Sequence, residues 1–478
     1  MLMLTNREEW LEAIRRHGDV LEHAPEELKN DREVVLAAVK QWGFALKFAS
    51  TELKEDREVV LAAVEQNGRV LRRVSTELKG DRDVVLAAVR ANGGALEYVP
   101  TELKNDRDVV LAAIKQYGPA LGYASEELKN DREVVLAAVE KNGRALYHAS
   151  KELKNDREVV LAAVEKNGWA LEYAPTELRG DREVVLAALK NYGVALKYAS
   201  EELKNDREVV LAAVKQDGNA LWHAPKELKN DREVVLAAVS RTGVALGYAS
   251  RELRGDREVA LAAVKQNGHA LMRVLKSDRE IVLAAVKQNG LALKYAHGTL
   301  KGNRDVMLVA VQQDGRALQF SQKLRNDREV VLAAVKQNGT ALKYASEELK
   351  NDYEVVTGAV KSNALALECA SERLKGDKEL VSEWIAVRPE KCEELYAKPE
   401  EWARDVLLRA ICKNPKVLSH TWLNDDYKFC IEAVKMNPNA FRYVDERIVG
   451  YRTLLYSTFC DQGYVCGVKR QKMSRLIF

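Results

Sequence analysis

The chain has 478 residues, 47% of them apolar and 31% charged, with 75 Lys and Arg against 72 Asp and Glu. That apolar content excludes a disordered chain, and a net charge of +3 excludes a general attraction to nucleic acid or anionic membrane. No apolar run reaches the length of a membrane span, and the opening MLMLTNREEW lacks the pattern of a secretory signal.

Taken in order, the chain is one short element repeated. Residues 1–30 hold a weak copy starting at Asn6, and a regular series follows from Asp31. Three successive units read DREVVLAAVKQWGFALKFASTELKE, DREVVLAAVEQNGRVLRRVSTELKG and DRDVVLAAVRANGGALEYVPTELKN. The leading aspartate recurs every 25 residues from Asp31 to Asp256, then with small slips at Asp278, Asn303, Asp327, Asp352 and Asp377. Two diverged copies lie around Ala403 and Asp426, where Asn414-Pro415 and Asn437-Pro438 replace the usual Asn-Gly. The reading is an N-terminal capping repeat (1–30), regular repeats (31–376), diverged repeats (377–444) and a C-terminal cap or tail (445–478). In the tail, Phe459 and Ile477 are candidates for docking on a partner.

Each unit predicts two helices. Asp31 is a natural N-cap, the run Val34 to Gln41 favours helix, and Gly43 is expected as a left-handed C′ residue. A short second helix follows at GFALKFA, then a turn where Pro25, Pro100, Pro175 and Pro225 alternate with Ser50, Ser125 and Ser200, as at a helical N-terminus. Helices this short do not persist alone, and VVLAAV is apolar almost all round, so neighbouring units must cover it. The first unit bears this out in its own composition: Glu9 and Glu12 stand where later units have Val34 and Ala37, giving the polar outer face of a cap. Val34 and Ala37 are therefore expected to meet the preceding unit, and Val35, Ala38 and Val39 the second-helix layer or the next unit. The fold class is an all-α solenoid of right-handed type with about 18 short two-helix repeats. A local bend is expected at the shortened linker between Asp256 and Asp278.

Recurrence within the chain separates scaffold from variable surface. Ala45, Leu46 and Ala49 are nearly fixed, whereas Phe44 and Lys47 change from unit to unit and lie three apart on the other face. Stacking lines these variable positions into stripes. The next position is mostly aromatic (Phe48, Tyr98, Tyr123, Tyr198, Tyr248), which reads first as an inter-unit packing ladder with hydroxyls at the surface. The richest patch holds Arg144, Tyr147, His148, Trp169, Tyr173, Trp222 and His223, residue types that anchor interfaces. Drift on a solvated face is the competing reading. Arg32 and Glu33 recur in nearly every unit and suggest a ladder of Arg to Asp or Glu pairs between units, against idle duplicated charge.

Chemistry finds little support. No P-loop, GxGxxG, HExxH, GxSxG or EF-hand loop occurs, so neither catalysis nor a cofactor is expected. Cys460, Cys466 and His420 lack the short ligand pairs of structural zinc, and no metal site is expected. All six cysteines lie from Cys369 onward without a disulfide-dense pattern, so a reducing compartment, cytoplasmic or organellar, is expected. Two-helix repeats also read single-stranded RNA, and Arg69, Arg72, Arg73 and Arg90, with Lys469, Arg470, Lys472 and Arg475 in the tail, are local basic spots. Glu97 and Glu172 in the variable stripe and the balanced overall charge oppose that alternative.

The unit LRNDREVVLAAVKQNGTALKYAS at residues 324–346 resembles a repeat family catalogued as a domain of unknown function, widespread in algal and other protist proteins and some intracellular-bacterial effectors. The resemblance is strong over about residues 20 to 376 and weak to about 444. It implies helical repeats and no catalytic residues. The function expected is a non-catalytic scaffold or adaptor, or a peripheral subunit of an assembly, holding one or more proteins along the second-helix face. Attachment to the periphery of a membrane complex is compatible with it.

Overall fold

A computed structural model describes residues 6–395, 400–424 and 426–444, with helical segments and no strand among the described residues. They divide between Ala262 and Ala263 into two compact units, each built from tandem copies of one element, an all-α solenoid architecture.

The copy from Asp31 shows the element. An α-helix Arg32–Gln41 is followed by a 3₁₀ helix Gly43–Phe48 and a single α-turn Thr51–Lys54. The Asp31 carboxylate caps the long helix, accepting from the N–H groups of Glu33 (3.0 Å) and Val34 (3.2 Å). Trp42 ends it in an extended conformation. The second helix expected at GFALKFA winds as 3₁₀: Ala45 N–H donates to Trp42 O, and Ala49 N–H to Leu46 O. In a 3₁₀ helix residues three apart eclipse, which places Phe44 and Lys47 one above the other. Ser50 starts the last turn as an N-cap, its hydroxyl accepting from Leu53 N–H (3.3 Å), and Pro25 and Pro175 hold the same place elsewhere.

The glycine after the long helix has a different reason from the one expected. None of these glycines is left-handed; the constraint is the neighbour. A Cβ on Gly43 would stand 2.5 Å from the carbonyl oxygen of Ala63 in the next unit, and one on Gly143 would stand 2.1 Å from that of Ala163. Only glycine lets the 3₁₀ helix lie this close to the following long helix. The same contact places Ala38 against Gly18 of the preceding unit. Gly43 N–H also donates to Gln66 Oε1 of the next unit (2.7 Å).

Val34, Val35, Ala38, Val39 and Ala45 are wholly buried, and the pattern repeats along both units. Ala37, expected to meet the preceding unit, is half-buried: with Leu36 it lines a shallow outer groove beside Arg15 of the preceding helix. Glu9 and Glu12, in the positions of Val34 and Ala37, are exposed.

Two further links join neighbours. Ser50 N–H donates to Lys29 O (2.9 Å), repeated at Ser125 to Lys104 and Ser150 to Lys129. Outside runs the arginine ladder: Arg57 forks to Asp81 (2.6 Å) and Asp83 (2.7 Å) of the next unit, as Arg32 does to Asp56 and Glu58. The rungs are solvated, each worth about 0–1 kcal/mol. In the second unit the shortened linker costs the α-turn between Arg273 and Arg279, yet His297 N–H still reaches Lys276 O (2.9 Å). The tail from 445, with Phe459 and Ile477, lies outside the described residues.

Candidate functional site

The variable stripe sits on the 3₁₀ helices of the first unit. Gly143–His148 presents Arg144 and Tyr147 outward, Gly168–Tyr173 presents Trp169, and Gly218–His223 presents Trp222. Their buried counterparts Ala145, Leu146, Ala170 and Leu171 fix each segment in the core. Tyr147 and Trp222 keep 58% and 61% of their surface in solvent, far more than a packing role requires.

Ring contacts connect the patch across repeats. Tyr147 meets His148 edge-on (centroids 5.0 Å) and Tyr173 of the next repeat (5.2 Å), and the Arg144 guanidinium lies 5.9 Å from the Trp169 ring. Trp222 meets Tyr248 of its neighbour at 5.1 Å. The structure therefore joins Arg144, Tyr147, His148, Trp169 and Tyr173 into one cluster. Trp222 and His223 share one 3₁₀ segment two repeats further along, with no ring contact to that cluster.

Trp169 is half-buried: its ring packs on Tyr192 (5.3 Å) and Tyr198 (6.2 Å) of the next repeat, and its indole N–H donates to Glu172. It is a packing residue with one free edge. At the aromatic position next to the stripe, Tyr173, Tyr198 and Tyr248 each pack on a ring of the preceding repeat, and the Tyr198 hydroxyl, expected at the surface, is buried; burial together with Glu172 pushes its pKa up.

Both histidines are half-buried. The His148 ring fills space left by Gly122, where a Cβ would stand 2.7 Å from it. Burial, then Lys129 and Lys154, lowers the His148 pKa; burial, then Lys197, Lys204 and Lys229, lowers that of His223.

Sequence reasoning missed the basic residue of the α-turn, whose side chain folds back toward the stripe in several repeats. Lys154 lies over Tyr147 (5.7 Å), Lys229 lies over Trp222 (5.8 Å) and donates to its carbonyl (2.7 Å), and Arg179 Nε donates to Ala174 O (2.8 Å). Lys197 lies 4.6 Å from the Trp169 ring. The signal available was the basic residue that recurs two positions before each leading aspartate of the regular repeats.

Elsewhere, Arg69, Arg72 and Arg73 are exposed on one 3₁₀ segment, while Arg90 lines the outer groove with Leu61 and Glu65. The expected basic spot is thus divided between two elements, and its tail counterpart lies outside the described residues, as do Cys460 and Cys466. Burial pushes the Cys392 thiol up to about 12, so it is no nucleophile near neutral pH. Among the described residues no three His, Cys, Asp or Glu side chains gather as metal ligands, and no helix is long and apolar enough to cross a membrane.

A family model described as a domain of unknown function (DUF4116) matches the chain in twelve stretches, several of them overlapping, from residues 6–54 and 32–79 through 327–375 to 404–449. No curated protein matches it.

Proposed function

The chain belongs to that family of unknown function, and from this premise we propose that it is a non-catalytic scaffold or adaptor that grips partner proteins along its 3₁₀ face, including as a peripheral subunit of a larger assembly. The observation that carries the reading is the contrast between fixed and variable positions. Residues that build the stack repeat almost unchanged, while large side chains with solvent-facing surface, Tyr147 and Trp222, stand in the row that varies. Aromatic anchors of this kind dominate binding energy at interfaces.

The test is affinity capture from a lysate with Tyr147→Ala and Trp222→Ala combined. Both positions tolerate small residues, since Gly122 and Gly247 occupy the same row in sister repeats. Recovery of partners is expected to fall at least tenfold with the thermal midpoint unchanged. Unchanged recovery refutes the reading. Trp169 is a poor substitute, because its loss also disturbs Tyr192 and Tyr198.

A second reading, single-stranded RNA binding, draws on the exposed Arg69, Arg72 and Arg73. It requires retention of mixed RNA in a low-salt gel shift, lost steeply as salt rises.

A further inference from the structure

The 3₁₀ face carries far more positive charge than the chain as a whole. Over the five repeats that begin at Asp131 to Asp231, four side-chain rows meet on it: the two variable positions, the aromatic ladder and the basic residue of the α-turn. Contacts tie these rows together, from Lys154 over Tyr147, through Arg144 and Lys197 over Trp169, to Lys229 over Trp222. The twenty positions hold seven cations and one carboxylate, a surplus of six in five repeats against three in the full chain. The cations are Arg144, Lys197 and one from each α-turn between Lys154 and Arg254. The carboxylate is Glu172, already engaged by the Trp169 indole.

The surplus is also uncompensated. On the outer ladder the arginines from Arg7 to Arg232 are met by carboxylates of the next repeat, as Arg157 is by Asp181 and Glu183. On the 3₁₀ face Lys204 pairs with Glu201, but Arg144, Lys154, Lys197 and Lys229 form no ion pair among the described residues. All the charges that act on His148 and His223 are lysines.

We infer that the partner of this face is an extended acidic polypeptide segment, with a carboxylate at about every third residue and apolar side chains between. This rests on the proposed interface and adds its chemistry. Stacked helices repeat every 8–10 Å or about that, and three residues of extended chain span about 10 Å. One carboxylate then meets the basic residue of each repeat, while Tyr147 and Trp222 receive the intervening side chains. Desolvating unpaired lysines against carboxylates gives both attraction and register.

The experiment is fluorescence anisotropy with the full chain at about 50 mM salt, where screening is weak. Three labelled probes are compared: a peptide of five Glu-Ser-Leu triplets, a peptide of the same composition with its glutamates contiguous, and a fifteen-nucleotide oligouridine. The triplet peptide is expected to bind about tenfold more tightly than the clustered one, and more tightly than the RNA. Arg144→Asn with Lys197→Glu, residues that sister repeats carry as Asn219 and Glu172, is expected to weaken it about tenfold. Absence of triplet binding, equal binding of both peptides, or undiminished binding by the variant overturns the inference. Tighter RNA binding with the same sensitivity replaces the acidic polypeptide with nucleic acid. If Tyr147→Ala with Trp222→Ala loses captured partners while the wild-type chain ignores both peptides, the interface stands and its acidic chemistry falls.

Discussion

Within the second compact unit, the regular repeats up to Ser346 and the diverged ones from Asp377 solve the same stacking problem differently. In the former a glycine meets the carbonyl of an alanine, as a Cβ on Gly315 would stand 2.3 Å from Ala334 O. In the latter the glycine position is taken by Pro389, Pro415 and Pro438 and Trp384 stands in the alanine position, while Ala364 already replaces the glycine in the repeat between the two regions. The ladder is rewired as well. Tyr353 replaces an arginine, Glu379 receives Lys413 (2.7 Å) and Arg409 (3.3 Å), and Lys378 reaches Asp405 (2.8 Å). Capping survives the change, since Asp377 and Asp426 still cap their helices and Pro415 begins its 3₁₀ segment behind Asn414. Close approach loosens where the helix Lys378–Val387 meets the helix Tyr353–Ser362. Beside Trp384 a cavity of about 280 Å³ opens among Leu367, Val381, Leu395 and Trp402. The comparison teaches that caps define the unit, whereas the glycine contact defines how tightly units stack.

The largest expected effect breaks that contact where it is tightest. Gly143→Val should destabilise the array by about 3 kcal/mol or more, since its side chain meets a backbone carbonyl that cannot yield. Ala364→Gly should change stability by less than about 1 kcal/mol. Urea unfolding followed by circular dichroism measures both, and equal effects would erase the distinction between the two regions.

Next comes the cap. Asp181→Ala removes the helix N-cap and an Arg157 partner together and should cost about 1–2 kcal/mol. Arg157→Ala removes only the solvated rung and should cost clearly less than loss of the cap. Thermal melts of the two variants rank cap against ladder.

Acid probes the same carboxylates collectively. Hydrogen bonds from Arg32 and Arg157 hold Asp56 and Asp181 below the ordinary carboxylate range. A group with a depressed folded-state pKa contributes its stability above the unfolded value, about 3.9, and loses it as pH falls through the folded value. These groups should therefore contribute a constant stability from pH 5 to 8 and lose it below about pH 4. Asp56→Asn with Asp181→Asn should flatten that acid limb in a pH series of melts; an unchanged limb would detach the ladder from acid stability.

The smallest effect restores a rung. Tyr353→Arg should gain at most about 0.5 kcal/mol, because Glu379 is already held by Lys413 and Arg409. A larger gain would mean that the rewired pairs are weaker than the ladder they replace.

Much of this was legible in the sequence. The aspartate period located each regular long helix, the valines located the core, and the recurrent Arg-Glu pair announced the ladder. What escaped depended on the phase between repeats. Gly43 looked like a helix terminator because its partner, Ala63 O, lies twenty residues on and is backbone. Trp169 looked like an interface anchor because its contacts with Tyr192 and Tyr198 belong to the next repeat. The 3₁₀ winding of GFALKF was hidden because local propensity does not separate it from an α-turn. The basic row recurs at every regular repeat, but its ammonium groups reach the stripe only where the turn folds back, a contact that the local sequence does not display.

The central claim is that neighbouring repeats complete one another's core. Hydrogen–deuterium exchange on the full chain tests it most directly. The account predicts slow exchange in every long helix from Arg32–Gln41 to Arg328–Gln337 and faster exchange in every α-turn, in a pattern that returns each repeat. Rapid exchange at the valine and alanine amides of the long helices, or protection confined to a few islands that ignore the repeat, would contradict it.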